Sequence, residues 1–409
     1  MKINVYSEIK PLKKVLLHRP GNELLNLTPD SLERLLFDDI PFLEKAQIEH
    51  DNFAKVLKEN GVEVYYLENL MAEALDTSDE VKEKFVKQFI DEAGITSYKY
   101  KKVVYDYLIS YTNNLDLVLK TMEGIKLNEL YSMKRDVEHS LVDFVSEDSK
   151  FLADPMPNLY FTRDNFASIG KGISLNRMYS VTRNRESIYA EYIFNYHPEF
   201  QGNVTKYYGR TEPYHIEGGD ILVLNNHTLA IGISQRTEPE AIETLAHNLF
   251  KDSDCKYDTI LAFSIPNCRA FMHLDTVFTQ VDYDKFTYHP GIMGSLKVYE
   301  IKKGEKDDDI NVKARSGSLE KILEEYLGRD IILIPCAGGD MVSAEREQWN
   351  DGSNTLAIAP GVVIVYDRNS VTNEVLRRFG IKVIEMRSAE LSRGRGGPRC
   401  MSMPLVRED

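Results

Sequence analysis

The sequence predicts an α/β protein that is assembled from repeated units of two or three strands and a helix. Residues 57–68 and 376–387 each read as a helix end, a glycine and a strand with alternating apolar residues. Two further segments, 218–220 and 338–340, each read Gly-Gly-Asp and precede apolar stretches, so we expect both glycine pairs to open a strand. Units of one kind favour a radial or stacked arrangement, because each buries its apolar face against its neighbours.

Helices are predicted after the repeated strands and in one long insertion. Residues 238–250 and 372–379 have amphipathic spacing and follow apolar strands. Residues 75–148 break the rhythm, since apolar side chains recur there at helical spacing and few strand-like alternations are present. We therefore expect a catalytic α/β unit formed by residues 1–74 and 149–409, and a helical insertion, residues 75–148, that carries no catalytic part.

Composition excludes several classes of protein. The formal net charge is −14, whereas nucleic-acid binding requires a basic surface. The most apolar stretch, residues 356–366, is too short to span a bilayer and contains Pro360 and Gly361. No apolar signal core follows the N-terminal residues. We therefore predict a cytoplasmic protein without membrane or nucleic-acid partners.

Four cysteines in 409 residues are too few and too widely spaced for a disulfide framework or a paired zinc motif. Cys400 differs from the other three, because it follows a run rich in glycine and arginine that begins at Gly394. Neighbouring cations lower the pKa of a thiol, and the thiolate is the nucleophile. A frayed basic tail and a fragment of an RNA-binding Arg-Gly-Gly repeat are the alternatives, and the negative charge of the chain opposes the second.

Polar motifs beside apolar strands supply groups that could work with a thiol. In an extended strand His273 and Asp275 point to one face, where they could form an acid–base pair, bind a metal or belong to a satisfied polar core. A metal is disfavoured because a third and fourth ligand are missing at recognisable spacing. Glu217 precedes two glycines and could orient His273, or it could lie on the surface of a simple turn.

The remaining candidates suggest what such a site would bind. Asp164 follows an arginine, with which it could simply form a local ion pair. Arg183 and Arg236 lie shortly after strand-like segments, and a convergent pair would clamp a carboxylate. A thiol, a histidine, several carboxylates and a carboxylate clamp fit attack on a molecule that carries both a guanidinium and a carboxylate.

The order of these motifs resembles that of the arginine deiminases. The resemblance rests on five segments that occur in the family's order and span essentially the full chain. They are Leu35-Leu36-Phe37-Asp38-Asp39-Ile40-Pro41, Phe161-Thr162-Arg163-Asp164, Glu217-Gly218-Gly219-Asp220, His273-Leu274-Asp275-Thr276 and Arg399-Cys400-Met401-Ser402-Met403-Pro404. Gln235 departs from the glutamate expected before Arg236 in several relatives, but Arg236 itself is in place.

The resemblance implies a five-bladed pseudo-symmetric α/β propeller with a helical insertion domain. It also implies hydrolysis of L-arginine to L-citrulline and ammonia through a covalent cysteine thiouronium intermediate, with no cofactor and no metal. The small-molecule partner would be L-arginine, and we expect a homo-oligomer.

The resemblance also assigns roles to residues of this chain. Cys400 resembles the nucleophile, His273 the general acid and base, and Glu217 the carboxylate that supports it. Asp164 and Asp275 would grip the guanidinium. The groups that would bind the rest of the substrate are Asn158, Arg183 and Arg236 at the α-carboxylate, and Arg395 on a loop that could gate the site.

Two alternatives stay open at this point. The chain could be a related guanidine-modifying enzyme, namely an agmatine deiminase, a dimethylarginine hydrolase or an amidinotransferase, although Arg183 and Arg236 favour a free α-amino acid over agmatine. It could instead be a catalytically silent arginine-binding protein, which the intact set of Cys400, His273 and three carboxylates opposes.

Overall fold

The strands of the protein alternate with helices along most of the chain. The structure is a computed structural model that describes residues 2–133, 151–305 and 309–408. The strands in these ranges are β1 (Leu12–Leu17), β2 (Glu63–Tyr66), β3 (Ile125–Lys126), β4 (Phe151–Ala153), β5 (Phe166–Ile169), β6 (Gly172–Leu175), β7 (Thr205–Tyr208), β8 (Ile221–Val223), β9 (Thr228–Ile233), β10 (Thr259–Ser264), β11 (Phe278–Gln280), β12 (Lys285–Tyr288), β13 (Lys297–Lys303), β14 (Ile310–Arg315), β15 (Ile332–Pro335), β16 (Leu356–Ala359), β17 (Val362–Tyr366), β18 (Lys382–Met386) and β19 (Met403–Arg407).

The helices lie between these strands and in the region where an insertion is predicted. They are α1 (Leu43–Glu59), α2 (Leu67–Leu75), α3 (Asp79–Glu92), α4 (Tyr98–Ile109), α5 (Asn114–Glu123), α6 (Leu127–Met133), α7 (Thr162–Asn165), α8 (Val181–Asn184), α9 (Ser187–Tyr196), α10 (Pro239–Lys251), α11 (Leu319–Leu327), α12 (Met341–Trp349) and α13 (Ser370–Arg378). None of the helices in the described ranges combines the length and apolar character that crossing a membrane requires.

Five sheets repeat one pairing pattern, in which a first strand pairs antiparallel with a second and the second pairs parallel with a third. The strand triplets are β5–β6–β7, β8–β9–β10, β11–β12–β15, β16–β17–β18 and β19–β1–β2. Strands β13 and β14 extend the second of these sheets, and β3 and β4 form a separate two-stranded ladder. The predicted repetition of strand units is therefore present.

The repeat at residues 57–68 and 376–387 is confirmed. In each copy a helix ends, a glycine follows and a strand begins: α1 precedes β2, and α13 precedes β18. Gly61 and Gly380 have φ angles of 79° and 82°. This left-handed conformation favours glycine because it has no Cβ.

The second repeat holds in only one of its copies. Residues 218–220 form a 3-10 turn that leads into β8, as expected. After Gly338 and Gly339, however, the chain enters helix α12. The prediction of a strand there was wrong, because the Asp340 side chain accepts a hydrogen bond from the Ser343 amide and caps the helix.

The helical stretch between β2 and β4 packs onto the sheets. Helix α3 buries the predicted apolar face, which consists of Val81, Phe85, Val86, Phe89 and Ile90. This face belongs to the same hydrophobic core as side chains of β5, β8 and β9. The part of the predicted insertion from residue 134 to 148 lies outside the described residues.

Candidate active site

One polar residue lies just before the first strand of each of the five sheets. These five residues come close together, because Glu217 and Asp164 lie beside His273 and the Asn354 side chain accepts from the Cys400 amide. They are Asp164 before β5, Glu217 before β8, His273 before β11, Asn354 before β16 and Cys400 before β19. Asn354 is the member that the sequence analysis missed.

His273 is buried and held by Glu217. The imidazole Nε2 lies 2.7 Å from Glu217 Oε2, and Nδ1 lies 4.0 Å from Asp164 Oδ1. Burial lowers the pKa of His273, but the Asp164 and Glu217 carboxylates outweigh it and raise the pKa to about 9. His273 is therefore an imidazolium at neutral pH and can donate a proton.

The ring of His273 packs directly on Gly219. A Cβ atom at this position would lie 2.7 Å from the imidazole Cγ, so a glycine is needed for the ring to approach. The backbone at 274–276 forms a 3-10 turn. The expectation that His273 and Asp275 share one face of a strand was wrong, although both side chains reach the site.

Glu217 is fully buried among three positively charged groups. Besides His273, Arg236 Nη1 lies 3.6 Å and Arg183 Nη1 lies 3.9 Å from Glu217 Oε2. Burial alone would raise the pKa of Glu217, but Arg236 and His273 hold it well below its usual range. Glu217 therefore carries a fixed negative charge that sustains the imidazolium.

Arg183 bridges two buried carboxylates. Its Nη1 donates to Asp164 Oδ2 at 3.1 Å, while Nε and Nη2 donate to Glu186 Oε2 at 3.1 and 3.0 Å. The other carboxylate oxygen, Asp164 Oδ1, is buried and has no hydrogen-bond partner within the described ranges. Asp164 thus keeps one oxygen free to bind a cationic group.

Arg236 has more free hydrogen-bonding capacity than Arg183. Its Nε and Nη1 are buried without a hydrogen-bond partner in the described part of the chain. The guanidinium carbon lies 5.5 Å from the centre of the Tyr179 ring, which holds the side chain by a cation–π contact. Free donors on a buried cation are suited to an anionic group of a ligand.

The Cys400 thiol faces Asp275. Its Sγ donates to Asp275 Oδ2 at 3.7 Å, and the Cys400 amide donates to Asn354 Oδ1 at 3.1 Å. Burial raises the pKa of the thiol well above its ordinary value, and the carboxylates of Asp275, Asp164 and Asp351 raise it further. The expectation that neighbouring cations ionise the thiol was therefore wrong for the ligand-free protein.

Arg399 points away from the thiol that follows it in sequence. Its Nη1 donates to Asp275 Oδ2 at 2.7 Å, and its Nε and Nη2 donate to the two oxygens of Glu8 at 3.0 and 3.1 Å. Although Arg399 is adjacent to Cys400 in sequence, its electrostatic partners are therefore the carboxylates of Asp275 and Glu8.

Arg395 covers the pocket from the glycine-rich segment. Its guanidinium lies 3.6 Å from the centre of the Trp349 ring, and its Nε lies 3.9 Å from Asp38 Oδ2. Its Nε and Nη1 are buried without a hydrogen-bond partner among the described residues.

Asn158 is held by the backbone of the N-terminal segment. Its side-chain amide donates to the Leu35 carbonyl at 2.7 Å, which fixes the orientation of the Asn158 side chain.

The structure brings all nine predicted site residues to one place. Seven line a single pocket, whereas Glu217 and Asp275 lie behind it and contact His273 and Cys400. The full lining is Leu36, Asp38, Asn158, Phe161, Asp164, Arg183, Arg236, Arg269, Met272, His273, Thr276, Gly394, Arg395 and Cys400.

Ligand atoms of Asp164, Glu217 and His273 lie within 4.8 Å of one another, a spacing that could hold a metal ion. Arg183 and Arg236 already provide positive charge to this cluster. A metal ion would have to compete with Arg183 and Arg236 for the Asp164 and Glu217 carboxylates, and with a proton for the imidazole of His273.

Two supporting residues were missed by the sequence analysis. Asp220 accepts hydrogen bonds from Ser234, Thr237 and the Leu274 amide at 2.7, 2.7 and 2.8 Å, and so fixes the turn that carries His273. Asn354 holds the backbone before β19. Asp220 could have been found from the Gly-Gly-Asp motif, whereas Asn354 is apparent only from its place in the five-fold pattern of strands.

Comparison with known proteins connects this geometry to a family. A family model described as arginine deiminase matches residues 33–407. A protein named arginine deiminase from Treponema denticola is 60% identical over 408 residues, covering 100% of this chain and 99% of that protein. Another of that name from Clostridium perfringens is 58% identical over 409 residues, covering 100% and 98%.

Solved structures with a similar fold are more distant in sequence. The amidinotransferase SxtG from Microseira wollei has a TM-score of 0.55 at 15% identity, covering 100% of this chain and 98% of that one. An adduct of a dimethylarginine dimethylaminohydrolase with S-methyl-L-thiocitrulline has a TM-score of 0.52 at 15% identity, with coverages of 96% and 99%. A mutant of AgrE bound to L-arginine has a TM-score of 0.53 at 16% identity, covering 97% of this chain and 40% of that one. These similarities establish a shared mixed α/β fold.

Proposed function

Because the chain belongs to the arginine deiminase family, we propose that it hydrolyses L-arginine to L-citrulline and ammonia, with Cys400 as the nucleophile. The observation that carries this proposal is the position of the thiol. It opens into the pocket that also contains a carboxylate with a free oxygen, Asp164, a guanidinium with free donors, Arg236, and the His273 imidazolium. L-Arginine carries a guanidinium that would pair with the carboxylate and an α-carboxylate that would pair with the guanidinium of Arg236.

The substrate guanidinium would lie between Asp164 and Asp275. Each has one buried oxygen, Oδ1, without a hydrogen-bond partner within the described ranges. A guanidinium N–H group donated to each oxygen would satisfy both and place the central carbon against Cys400 Sγ. Burying that cation without anionic partners would be very costly, so this pair would also provide selectivity.

The α-carboxylate would bind the free donors of Arg236, with Arg183 beside it. Asn158, which lines the same pocket, would contribute to binding of the α-carboxylate. Arg395 would complete the pocket from above, since its free Nε and Nη1 are available to an anionic group. The clamp accounts for a free α-amino acid as substrate in preference to a decarboxylated guanidine.

Substrate binding would ionise the thiol. In the ligand-free protein the carboxylates of Asp275, Asp164 and Asp351 disfavour a thiolate. A bound guanidinium adds one positive charge beside sulfur and donates hydrogen bonds to two of these carboxylates, which favours the thiolate. His273 is already protonated, so it is not available to accept the thiol proton at this stage, and that proton leaves to solvent as the substrate binds.

His273 would then act first as an acid and later as a base. The thiolate forms a bond to the guanidinium carbon, the imidazolium gives its proton to the departing nitrogen, and ammonia leaves. The neutral imidazole next takes a proton from water, which attacks the covalent thiouronium carbon. Collapse of this adduct breaks the C–S bond and releases citrulline, and Glu217 stabilises the imidazolium at each stage.

The decisive experiment measures the ureido product and the released ammonia or amine from L-arginine, agmatine and dimethylarginine, with and without a chelator. We expect L-arginine to be turned over much faster than agmatine or dimethylarginine, with no loss in chelator. Cys400→Ala is expected to lose at least about four orders of magnitude in kcat while keeping its circular dichroism spectrum. Substantial citrulline production by that variant would remove Cys400 as nucleophile, and faster turnover of agmatine than of L-arginine by the unmodified protein would favour a related guanidine-modifying enzyme.

The architecture extends the proposal. The five sheets with a common pairing pattern would be the blades of a five-bladed pseudo-symmetric propeller whose axis passes near the site. Residues 75–148 would form the insertion domain, and residues 1–74 and 149–409 the catalytic domain. We further propose that the protein is cytoplasmic.

We also propose that it is a homo-oligomer. Exposed apolar side chains on or directly after the contacting helices α12 and α13 support an interface there: Met341, Val342, Val371 and Phe379. Sedimentation equilibrium tests the oligomer.

A further inference from the structure

A chain of buried charges leads from the thiol to the N-terminal part of the sequence. Cys400 Sγ donates to Asp275 Oδ2, Arg399 Nη1 donates to the same oxygen, and the rest of the Arg399 guanidinium donates to Glu8. Arg399 is 1% exposed, Asp275 is 0% exposed and Glu8 is 7% exposed. The proposed mechanism uses Asp275 but gives no role to Arg399 or Glu8.

The Arg399 guanidinium is fixed at every corner. Nε and Nη2 form a two-pronged contact with the Glu8 carboxylate, and Nη2 also donates to the Ile221 carbonyl at 2.8 Å. Glu8 Oε1 accepts in addition from the Val223 amide at 3.0 Å. The planar fork of arginine therefore cannot rotate without breaking bonds to the strand β8 and to Glu8.

This anchoring determines how the two oxygens of Asp275 are used. Oδ2 is occupied by Arg399 and the thiol, whereas Oδ1 is buried without a hydrogen-bond partner in the described ranges. If the carboxylate rotated about its Cβ–Cγ bond, Oδ1 would no longer be available to the substrate, and Oδ2 would move away from the Cys400 sulfur. Arg399 opposes that rotation by a charge-assisted hydrogen bond of 2.7 Å.

We propose that Arg399, locked by Glu8, is a positioning residue that holds Asp275 with one oxygen against Cys400 and the other open to the substrate guanidinium. The inference rests on the proposed function for the identity of the substrate. It assigns to residue 8 an effect on a cysteine that lies almost at the other end of the sequence, through a pair of residues 391 positions apart.

The same geometry has an electrostatic consequence at sulfur. The pair places a positive group next to Asp275 and a negative group behind it. Removal of the Arg399 charge disfavours the thiolate, whereas removal of the Glu8 charge favours it. The carboxylates whose charges bear on the thiol from the surrounding elements, and which both changes leave in place, are Asp164, Asp275 and Asp351. Burial raises the pKa of Tyr160 and of Tyr366 well above the usual value, so both hydroxyls stay neutral.

The test is the rate at which iodoacetamide alkylates Cys400 in the full-length protein at pH 7.5 without substrate, followed by mass spectrometry of the Cys400 peptide. Because the thiol is mostly neutral at this pH, the rate follows the thiolate fraction. We expect Arg399→Met to slow alkylation about tenfold and Glu8→Gln to accelerate it about threefold to tenfold. Arg399→Lys, which keeps the charge, should stay within about threefold of the wild-type rate.

The control is Arg210→Met, which removes another buried guanidinium with carboxylate partners, Glu92 and Glu191, outside the pocket. This variant should alkylate at the wild-type rate. Changes of Arg399 and Glu8 in the same direction, or no change in either, would overturn the proposal. If Arg399→Met does not fold, Glu8→Gln decides: acceleration supports the proposal and an unchanged or slower rate overturns it. Alkylation needs no turnover, so failure of the citrulline assay is a separate result.

Discussion

Arg236 and Arg183 line the same pocket but differ in what holds them. Arg183 donates to Asp164 and Glu186, so it is part of a closed network of buried charges. Arg236 has two buried nitrogen atoms without a hydrogen-bond partner in the described part of the chain. The two residues should therefore respond differently to truncation, even though both would face the α-carboxylate.

Arg236→Ala is expected to raise KM for L-arginine about 10- to 100-fold, the effect of losing hydrogen bonds to a charged group. The same change should impair agmatine turnover much less, since agmatine has no carboxylate. Steady-state kinetics with both substrates measure this difference. Arg183→Ala is the contrasting variant. It leaves the Asp164 and Glu186 carboxylates without their buried cation, so it should weaken binding of both substrates. An equal loss with the two substrates in Arg236→Ala would contradict the carboxylate clamp.

Most residues of the pocket could be predicted from the sequence, because the motifs contain the thiol, imidazole, carboxylate and guanidinium groups that line it. The structure brings together the nine predicted residues, but the ionisation of Cys400 could not be read from its neighbours. Arg399 is adjacent in sequence and yet turns to Asp275 and Glu8. The pKa of a thiol depends on burial and on groups that are close in space, and local sequence records neither.

At the scale of elements, each sheet contributes a turn that precedes its first strand. The turn before β8 carries Glu217 and ends at Asp220, which accepts from the Leu274 amide of the turn before β11. Neighbouring turns are therefore bonded to each other at the site. This contact allows Gly219 and His273 to pack without a gap.

Gly219→Ala tests this packing. The new methyl group would lie 2.7 Å from the imidazole Cγ, so His273 must shift. A displacement of about 1 Å can cost about 100-fold in rate, and we expect kcat to fall about 10- to 100-fold with little change in KM. Steady-state kinetics and thermal unfolding together separate this effect from misfolding. Gly294→Ala is the matched control, since a Cβ there meets nothing within 4 Å; unchanged kcat in Gly219→Ala would show that the ring has room to move.

Helix ends were predicted well and strand starts less well. Gly61 and Gly380 end helices by adopting a positive φ angle, and this depends only on local backbone conformation. At 338–340 the same residue types lead into a helix, because Asp340 caps it. Gly-Gly-Asp is compatible with either outcome, and only the packing of the following segment decides between them.

At the scale of the whole molecule, buried ion pairs tie distant segments together. His18, at the end of β1, lies 2.7 Å from Glu68 in α2 and 3.1 Å from Glu23. Burial lowers the pKa of His18, but Glu68 and Glu23 outweigh it and raise the pKa to about 10. The fold therefore holds this proton up to a much higher pH than the unfolded chain, in which histidine titrates near 6.5.

Stability should decline at alkaline pH for this reason. The contribution of a histidine with a raised pKa is complete below about pH 6.5 and is lost as pH rises through about 10. We expect the free energy of unfolding in urea to fall between these values, and His18→Gln to flatten that slope and to destabilise the protein by about 3 kcal/mol at pH 6.5. His227→Gln is the control, since its side chain is 57% exposed. A slope that His18→Gln leaves intact would assign the alkaline loss to other groups.

The sequence predicted repeated α/β units, but it could not predict how they join. The sheet β19–β1–β2 pairs Leu12 with Arg407 and Leu16 with Met403. No local pattern signals a contact between strands so far apart. The internal repeats alone did not give the number of sheets, because one of the five is assembled from strands near both ends of the described chain.

This closing sheet has a consequence for biosynthesis. A ribosome makes β1 and Glu8 before β19, Arg399 and Cys400, which emerge only after the roughly 380 residues between them have been translated. Until then β1 presents an unpaired edge, which is a template for pairing with other chains. Nascent protein should therefore be inactive and prone to association, and we expect a requirement for chaperones that ends when the final strand docks.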